Sequence, residues 1–370
     1  MLAIAILGSV RTMRDFIEGP SLLYPEIQDS IEHATIDGGG VSLSRLWLDN
    51  ATTTKLSFTP TSSSAKISRD AEKFVFDAGT YLFNASFNYP QLHPLSVSDT
   101  LNGRSQGLIS QQVDQTESLA FLSYSDKLLA GAWRFLTYFG RDSMLFMLLA
   151  NKIMSAGKDS SLEAGITAVL QRINRTDGSG CHEETVGDYA TWLNLQTNTT
   201  STKSQCSYIM VDTDFFVPIM LANYFLDNEH GMMRASDLLA TETADDFGNG
   251  GLMYGGLALV NAERIVNSIA PFASQGGQVR DNLIHLKDGE IVGEWRDSTY
   301  GIGGGRIPYD INTALAPASL RAIARLAGAG FFPSHPDWED VASRQAQVFE
   351  DETLRFYQVS IPQAEARQLV

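Results

Sequence analysis

The segment Gly293-Glu294-Trp295-Arg296-Asp297-Ser298 places an aromatic side chain two positions before a carboxylate. The indole of Trp295 offers a flat apolar face to a sugar ring and a partly apolar wall beside Asp297. Such a wall raises the pKa of a carboxyl group, as a general acid requires. Asp297 is therefore the leading candidate for a general acid, and a structural ion pair with Arg296 or Arg306 is the alternative. We expect Arg296 to point away, because a cation facing the carboxylate would lower its pKa.

A glycine-rich stretch follows and leads into Arg306-Ile307-Pro308-Tyr309-Asp310-Ile311-Asn312. It is not a dinucleotide-binding fingerprint, because polar residues precede it and no apolar helix follows it directly. The glycines are typical of a flexible loop, and the acceptor side chain of Asp310 suits a helix N-cap. Arg306, Asp310 and Asn312 carry hydrogen-bonding groups and are candidates for a binding site.

A second cluster spans residues 133–144 and combines aromatic residues, a glycine and an Arg-Asp pair ahead of an apolar run. Aromatic faces stack on the C–H surfaces of sugars, and charged side chains hydrogen-bond hydroxyl groups with fixed geometry. Trp133, Arg141 and Asp142 are therefore candidate sugar-binding residues. The structural alternative is a helix cap by Asp142 and an ion pair between Asp142 and Arg141.

A third cluster, Cys181-His182-Glu183-Glu184-Thr185-Val186-Gly187-Asp188-Tyr189, holds three carboxylates and a histidine. Such groups can bind a metal ion or sugar hydroxyls. The His-Glu-x-x-His spacing of zinc enzymes is absent, so we predict no metal site. Glu183 and Glu184 are retained as candidate substrate-binding residues, with a solvated acidic loop as the alternative.

Two aspartates, Asp212 and Asp214, lie in the apolar run that begins at Tyr208. Carboxylates are costly to bury without partners, so Asp212 is a candidate site residue. Capping of a helix by Asp212 is the structural alternative. An Asp-x-Asp pair can also hold a divalent cation for a nucleotide-sugar in a glycosyl transferase, but the pattern here is helical rather than strand-like.

The amino-acid composition and net charge limit the classes of molecule that the protein is expected to bind. The chain has 370 residues, of which 44% are hydrophobic and 19% charged, enough for a large core. Its formal net charge of -16 repels nucleic acid and anionic membranes, so we predict neither as a partner and a neutral or cationic ligand instead. No apolar run reaches the ~18–20 residues that span a bilayer. We predict no cofactor.

Cysteines and sequons bear on the compartment. Cys181 and Cys206 flank a loop rich in Ser, Thr and Asn, and one disulfide could join them. Asn-x-Ser/Thr sequons also occur, at Asn50, Asn84, Asn174 and Asn198. Together these features favour a secretory route, with a cytoplasmic protein carrying chance sequons as the alternative. The apolar start at 1–8 lacks a basic region and indicates a buried strand or a truncated gene start, with part of a signal peptide as the alternative.

The elements that must position these residues change type along the chain. Residues 38–88 alternate apolar and polar side chains between turns, which predicts antiparallel strands of a partial β-sandwich. Apolar residues then recur at helical spacing over about 118–132, 141–156, 160–173, 209–227, 233–243, 251–268, 311–328 and 336–350. We expect long loops at about 174–208, 269–310 and 329–335. The prediction is a mainly α chain, with a partial β-sandwich domain at 1–110 and a helical domain at 111–370.

Four motifs, in this order along the chain, resemble the glucosidase domain of glycogen-debranching enzymes, which belong to the six-hairpin glycosidases. The family's Trp/Phe-Gly-Arg-Asp-Thr motif is similar to Phe139-Gly140-Arg141-Asp142-Ser143, and its Val-Asp-Ala/Thr motif to Val211-Asp212-Thr213. Its Thr-Trp-Met-Asp motif is similar to Glu294-Trp295-Arg296-Asp297, and its Pro-Val-Glu-Ile-Asn-Ala-Leu motif to the eight residues from Pro308. The resemblance covers roughly residues 117–330.

The resemblance implies an (α/α)6-toroid-type helical domain after a β-sandwich. It implies hydrolysis of α-glucosidic linkages in oligo- or polysaccharides, with inversion and with Asp297 as the general acid. The sugar subsite that it implies is lined by Arg141, Asp142, Asp212, Trp295, Asp310 and Asn312.

Inversion also needs a carboxylate base about 6.5–9.5 Å from the acid. In the family this base is a Glu late in the toroid, and no matching motif follows Asn312. About eight predicted helices also fall short of the twelve that six hairpins contain. We therefore expect either an incomplete toroid or a divergent site in which Glu183, Glu184 or Asp188 is the base. The alternative function is a truncated or inactive carbohydrate-binding relative.

Overall fold

The computed structural model describes most of the chain from Tyr24 onward. The described residues are 24–70, 73–89, 92–131, 137–244, 247–298, 300–363 and 367. Within them the protein is mainly helical, with a small antiparallel sheet in its N-terminal part. The predicted apolar strand at 1–8 and the candidate Trp133 lie outside the described residues.

The N-terminal sheet has four strands in the order β1-β2-β3-β6, all antiparallel. They are β1 (Ile31–Ile36), β2 (Gly40–Leu46), β3 (Thr53–Pro60) and β6 (Tyr81–Phe87), and a separate hairpin pairs β4 (Ile67–Asp70) with β5 (Lys73–Phe76). Side chains of β6 alternate between half-buried and exposed, which confirms the predicted period of two. Strand β1 was not predicted, because Glu32-His33 interrupts its apolar pattern.

The helical part follows the sheet. Its longer helices are α1 (Val113–Leu122), α2 (Gly140–Ala150), α3 (Ser161–Gln171), α4 (Gly187–Gln196), α5 (Val211–Asp227), α6 (Glu229–Leu239), α7 (Tyr254–Ala273), α8 (Ala316–Gly328) and α9 (Trp338–Glu352). Single helical turns lie at Pro25–Gln28, Val97–Thr100 and Leu108–Gln111. Short 3-10 segments lie at Asp37–Gly39, Gly103–Ser105, Arg280–Asn282 and Leu354–Tyr357, and a π-helical turn at Ile311–Leu315 precedes α8.

The main core lies between these helices, with α5 near its centre. Helix α5 is apolar on most sides, and Phe215, Met220 and Phe225 are all buried. It contacts α2, α6, α7 and α8, and α8 in turn packs on α9. A helix with apolar residues on most sides is buried rather than amphipathic, which agrees with the contacts of α5 to several neighbouring helices.

Most predicted helices are confirmed, with shifted bounds. The predicted helix at 118–132 ends early, because Ser123–Tyr124 (β7) and Lys127–Leu128 (β8) form a short hairpin instead. The predicted loop at 174–208 is wrong in part, because it contains α4 and two strands. Strands β9 (Thr137–Phe139), β10 (Glu183–Thr185) and β11 (Cys206–Ser207) form a three-stranded sheet in the order β11-β10-β9.

Covalent and ionic links fix this sheet and its neighbours. The predicted disulfide between Cys181 and Cys206 is present. The Arg45 guanidinium on β2 pairs with the Asp188 carboxylate at the start of α4, and the Leu48 N–H donates to the same carboxylate at 2.7 Å. In the part of the chain that the structure describes, no helix is both long enough and apolar enough to cross a bilayer.

Candidate active site

Arg141 is the centre of the candidate site. Its Nη1 lies 3.0 Å from Asp212 Oδ2, and its Nη2 lies 3.2 Å from Asp297 Oδ2. Its Nε lies 3.8 Å from Asp142 Oδ2. Asp212 lies 71 positions and Asp297 lies 156 positions from Arg141 in the sequence, so distant segments meet at one guanidinium.

The short strand β9 leads into Arg141 and positions it at the candidate site. Strand β9 ends at Phe139, and the Gly140 N–H then donates to the carbonyl of His182 at 2.8 Å. A Cβ at position 140 would lie 2.2 Å from the carbonyl oxygen of Cys181. Only glycine permits this approach, which explains the Gly in Phe-Gly-Arg-Asp and fixes the direction in which Arg141 leaves the sheet.

Asp212 is the buried partner of Arg141. It lies in the first turn of α5, and only 1% of the residue is exposed. Burial raises the pKa of its carboxyl to about 7, although the charge of Arg141 and a hydrogen bond from it act in the opposite direction. The Val211 N–H donates to the Gly293 carbonyl at 2.7 Å, which ties the start of α5 to the Asp297 loop.

Asp297 and Asp142 are the accessible carboxylates of the cluster, whereas Asp212 is buried. The side chain of Asp297 is 48% exposed, and it pairs with Arg141 rather than with Arg296 or Arg306. Trp295 is also exposed, and the guanidinium of Arg296 lies over its ring, 4.7 Å from the centroid. The expectation that Arg296 points away from the carboxylate agrees with this stacking.

Asp142 and Glu183 are close enough to Asp297 to respond to its charge. Burial raises the pKa of both carboxyl groups, and the charge of Asp297 adds to the increase in each case. The charge of Arg141 opposes the increase at Asp142. Several carboxyl groups with different surroundings therefore share one region.

Glu294 is a further candidate residue that sequence reasoning missed. The residue is buried, and among the described residues its Oε1 atom has no hydrogen-bond partner. Burial raises the pKa of its carboxyl, and the nearby charge of Asp310 adds to this effect. The sequence shows a carboxylate three positions before Asp297, but it does not show that this carboxylate is buried. Burial also raises the pKa of the Asp310 carboxyl, which is close enough to Arg141 and Asp212 to interact with their charges.

Other candidates have structural roles. Both donors of the fully buried Asn312 amide go to the carbonyls of Ile284 and Pro308, and its Oδ1 accepts from the Ile284 N–H. Arg306 donates to the carbonyls of Leu286, Lys287 and Glu290 and pairs with Asp288. Asn312 and Arg306 therefore hold the loop before α8 rather than facing Arg141.

Glu184 and Asp214 also point elsewhere. The Glu184 carboxylate pairs with Arg172, and both side chains are buried. Asp214 accepts from the Gly180 N–H and from Arg264 Nε, each at 2.7 Å, so it does not form a ligand pair with Asp212. Among the described residues, no three His, Cys, Asp or Glu side chains are arranged to hold a metal ion.

His182 lies between the strand that carries Glu183 and the start of α5. It is buried, and its Nδ1 lies 3.4 Å from the hydroxyl of Thr213, the residue after Asp212. Burial lowers its pKa to about 3, and the charge of Arg141 acts in the same direction. The ring is therefore neutral at pH 7 and connects the strand that carries Glu183 to the start of α5.

Comparison of the chain with protein families, characterised proteins and solved structures finds no match.

Proposed function

We propose that this protein is a glycoside hydrolase that cleaves α-glucosidic linkages of oligo- or polysaccharides with inversion, and that Asp297 is its general acid. One observation carries the proposal: Arg141 contacts Asp142, Asp212 and Asp297, which come from three of the four motifs that resemble glycogen-debranching glucosidases. An arrangement of this kind is not expected if the motifs match by chance.

The chemistry of the cluster suits a sugar. Carboxylates and a guanidinium form charge-assisted hydrogen bonds, which can fix the orientation of vicinal hydroxyl groups. The half-exposed Asp297 can reach an oxygen between two sugar units, whereas the buried Asp212 can only contact a group that enters the site. Trp295 is exposed two positions before Asp297, and the face of its ring that Arg296 does not cover can serve as a platform for a sugar.

We also infer that the helical part is an (α/α)6-toroid-type domain at 111–370, preceded by a partial β-sandwich domain at 1–110. The placement of the site supports this inference. Arg141 lies at the start of α2 and Asp212 at the start of α5, while Asp297 lies in the long connection between α7 and α8. Site residues at helix starts and in connections are expected where hairpin loops gather at one end of a helical domain.

The test is Asp297→Asn, which keeps the shape of the side chain but removes the proton that it would donate. We expect hydrolysis of malto-oligosaccharides to fall by about 10²–10⁴-fold, because general acid catalysis contributes about that much. Calorimetric affinity for the same sugar should change little. Asp281→Asn is the matched control, since Asp281 is exposed in the connection between α7 and α8.

Three outcomes separate the alternatives. Normal turnover by Asp297→Asn would show that the acid assignment is wrong. Sugar binding without turnover by the wild type would favour a carbohydrate-binding relative. If the wild type shows no sugar binding and no turnover, the proposal is overturned.

A further inference from the structure

Strand β10 presents two neighbouring carboxylates to opposite sides of a sheet. Residues directly opposite each other on antiparallel strands project from the same face. Glu184 is paired with Tyr138 of β9, and Glu183 is paired with Phe139. Tyr138 and Glu184 therefore share one face, while Phe139 and Glu183 share the other.

The Glu184 face points into the protein. Tyr138 and Glu184 are buried, and Arg172 both pairs with Glu184 and lies 4.6 Å over the Tyr138 ring. The buried cation on this face neutralises Glu184. This pair is structural and unavailable to a ligand.

The Glu183 face points to the candidate site. Phe139 on this face leads directly into Arg141, whose Nη2 lies 3.2 Å from Asp297 Oδ2. Glu183 is half-buried, and the charge of Asp297 contributes to its raised pKa. Thr137 projects from the same face, because it is paired with Thr185. The Gly140 N–H, one position before Arg141, donates to the carbonyl of His182, one position before Glu183, so the backbone holds Glu183 beside the start of α2.

The backbone of Glu183 is held firmly. Strand β10 is the middle strand of its sheet, and a disulfide joins Cys181 to Cys206 on β11. The His182 N–H also donates to the Ser207 carbonyl at 2.9 Å. A catalytic carboxylate needs such a fixed support, because small displacements greatly reduce rates.

We propose that Glu183 is the general base of the hydrolysis, acting with Asp297; this inference rests on the proposed function. The oxygen of a water molecule forms a bond to the anomeric carbon as the bond from that carbon to the linking oxygen breaks. Glu183 takes a proton from the water, and Asp297 gives its proton to the departing oxygen. Solvent then restores both carboxyl groups, so the net reaction consumes one water and releases two hydroxyl-bearing products.

The experiment compares Glu183→Ala, Glu183→Gln and Asp297→Asn on two substrates, a malto-oligosaccharide and α-glucosyl fluoride. Fluoride leaves without a proton donor, so Asp297→Asn should hydrolyse the fluoride within about tenfold of the wild-type rate. Both Glu183 variants should lose about 10²–10⁴-fold in kcat on both substrates. Sodium azide, a nucleophile that needs no base, should react in Glu183→Ala and yield β-glucosyl azide.

The controls and contrary outcomes are distinct. Glu229→Ala, an exposed carboxylate at the start of α6, should match the wild type. Glu183→Gln retains the size of the side chain and gives the answer if Glu183→Ala does not fold.

If the wild type is active and Glu183→Gln retains more than a tenth of its kcat, the base assignment is overturned. Suppose instead that Asp297→Asn loses its rate on α-glucosyl fluoride, and that azide restores the reaction in this variant but not in Glu183→Ala. The two residues would then have the opposite roles. An inactive wild type would overturn the proposed function and this inference with it.

Discussion

Asp212 gives the most quantitative prediction from the structure. Its carboxyl is buried beside Arg141, and burial raises its pKa from 3.8 to about 7. A carboxyl group with a raised pKa in the folded state stabilises the fold most fully when it is protonated in both states, below the unfolded pKa. That contribution is lost as the pH rises from about 4 through about 7. Asp212→Asn removes the titration and leaves Arg141 paired with Asp297.

The size of the effect follows from the two pKa values. Each pH unit in this window is worth about 1.4 kcal/mol, so a rise from 3.8 to about 7 corresponds to roughly 4 kcal/mol in all. Between pH 5 and pH 8, the free energy of unfolding of Asp212→Asn should rise relative to the wild type by about 2–3 kcal/mol. Near pH 4 the two proteins should have similar stability, because protonated Asp212 and Asn are both neutral.

Urea unfolding at several pH values measures this difference directly. The exposed variant Asp281→Asn should follow the wild-type curve across the whole range. A difference between Asp212→Asn and the wild type that is constant with pH would refute the reasoning, and so would a variant that loses stability relative to the wild type as the pH rises.

Two predictions concern the sheet that carries Glu183. Glu184→Ala should lower the free energy of unfolding by about 3–5 kcal/mol, because it leaves the buried Arg172 cation without its partner. Glu184→Gln combined with Arg172→Met should recover most of this loss, and a small effect of Glu184→Ala alone would contradict the buried pair. Cys206→Ser opens a loop of 25 residues and should cost about 3 kcal/mol in urea unfolding. Dithiothreitol should destabilise the wild type and leave Cys206→Ser unchanged, whereas a wild type unaffected by the reductant would contradict a stabilising disulfide.

Local patterns predicted those elements that bury one continuous apolar face. Helix α7 is such a case, since residues Leu257, Ile265 and Ile269 recur at helical spacing and all are buried. Helix α4 was missed because its buried side chains include Asp188, whose carboxylate is satisfied by Arg45 and by the Leu48 N–H, both far away in the sequence. No local pattern reports a partner 143 positions away.

The site was predicted in part for the same reason. Residue types and motif order identified Arg141, Asp212 and Asp297, but their contacts depend on how distant segments pack. Arg306 and Asn312 were chosen for hydrogen-bonding groups that the structure uses on nearby backbone atoms. The separation of Glu183 from Glu184 becomes visible only when the strand pairing shows which face each one occupies.

The configuration of the first product tests the central claim most directly. Proton NMR of a fresh malto-oligosaccharide digest by the wild type should show newly formed reducing ends in the β configuration before mutarotation, because water attacks the anomeric carbon from the face opposite the departing oxygen. Reducing ends that form first in the α configuration, or no new reducing ends, would contradict an inverting hydrolase of α-glucosidic linkages built on Asp297 and Arg141.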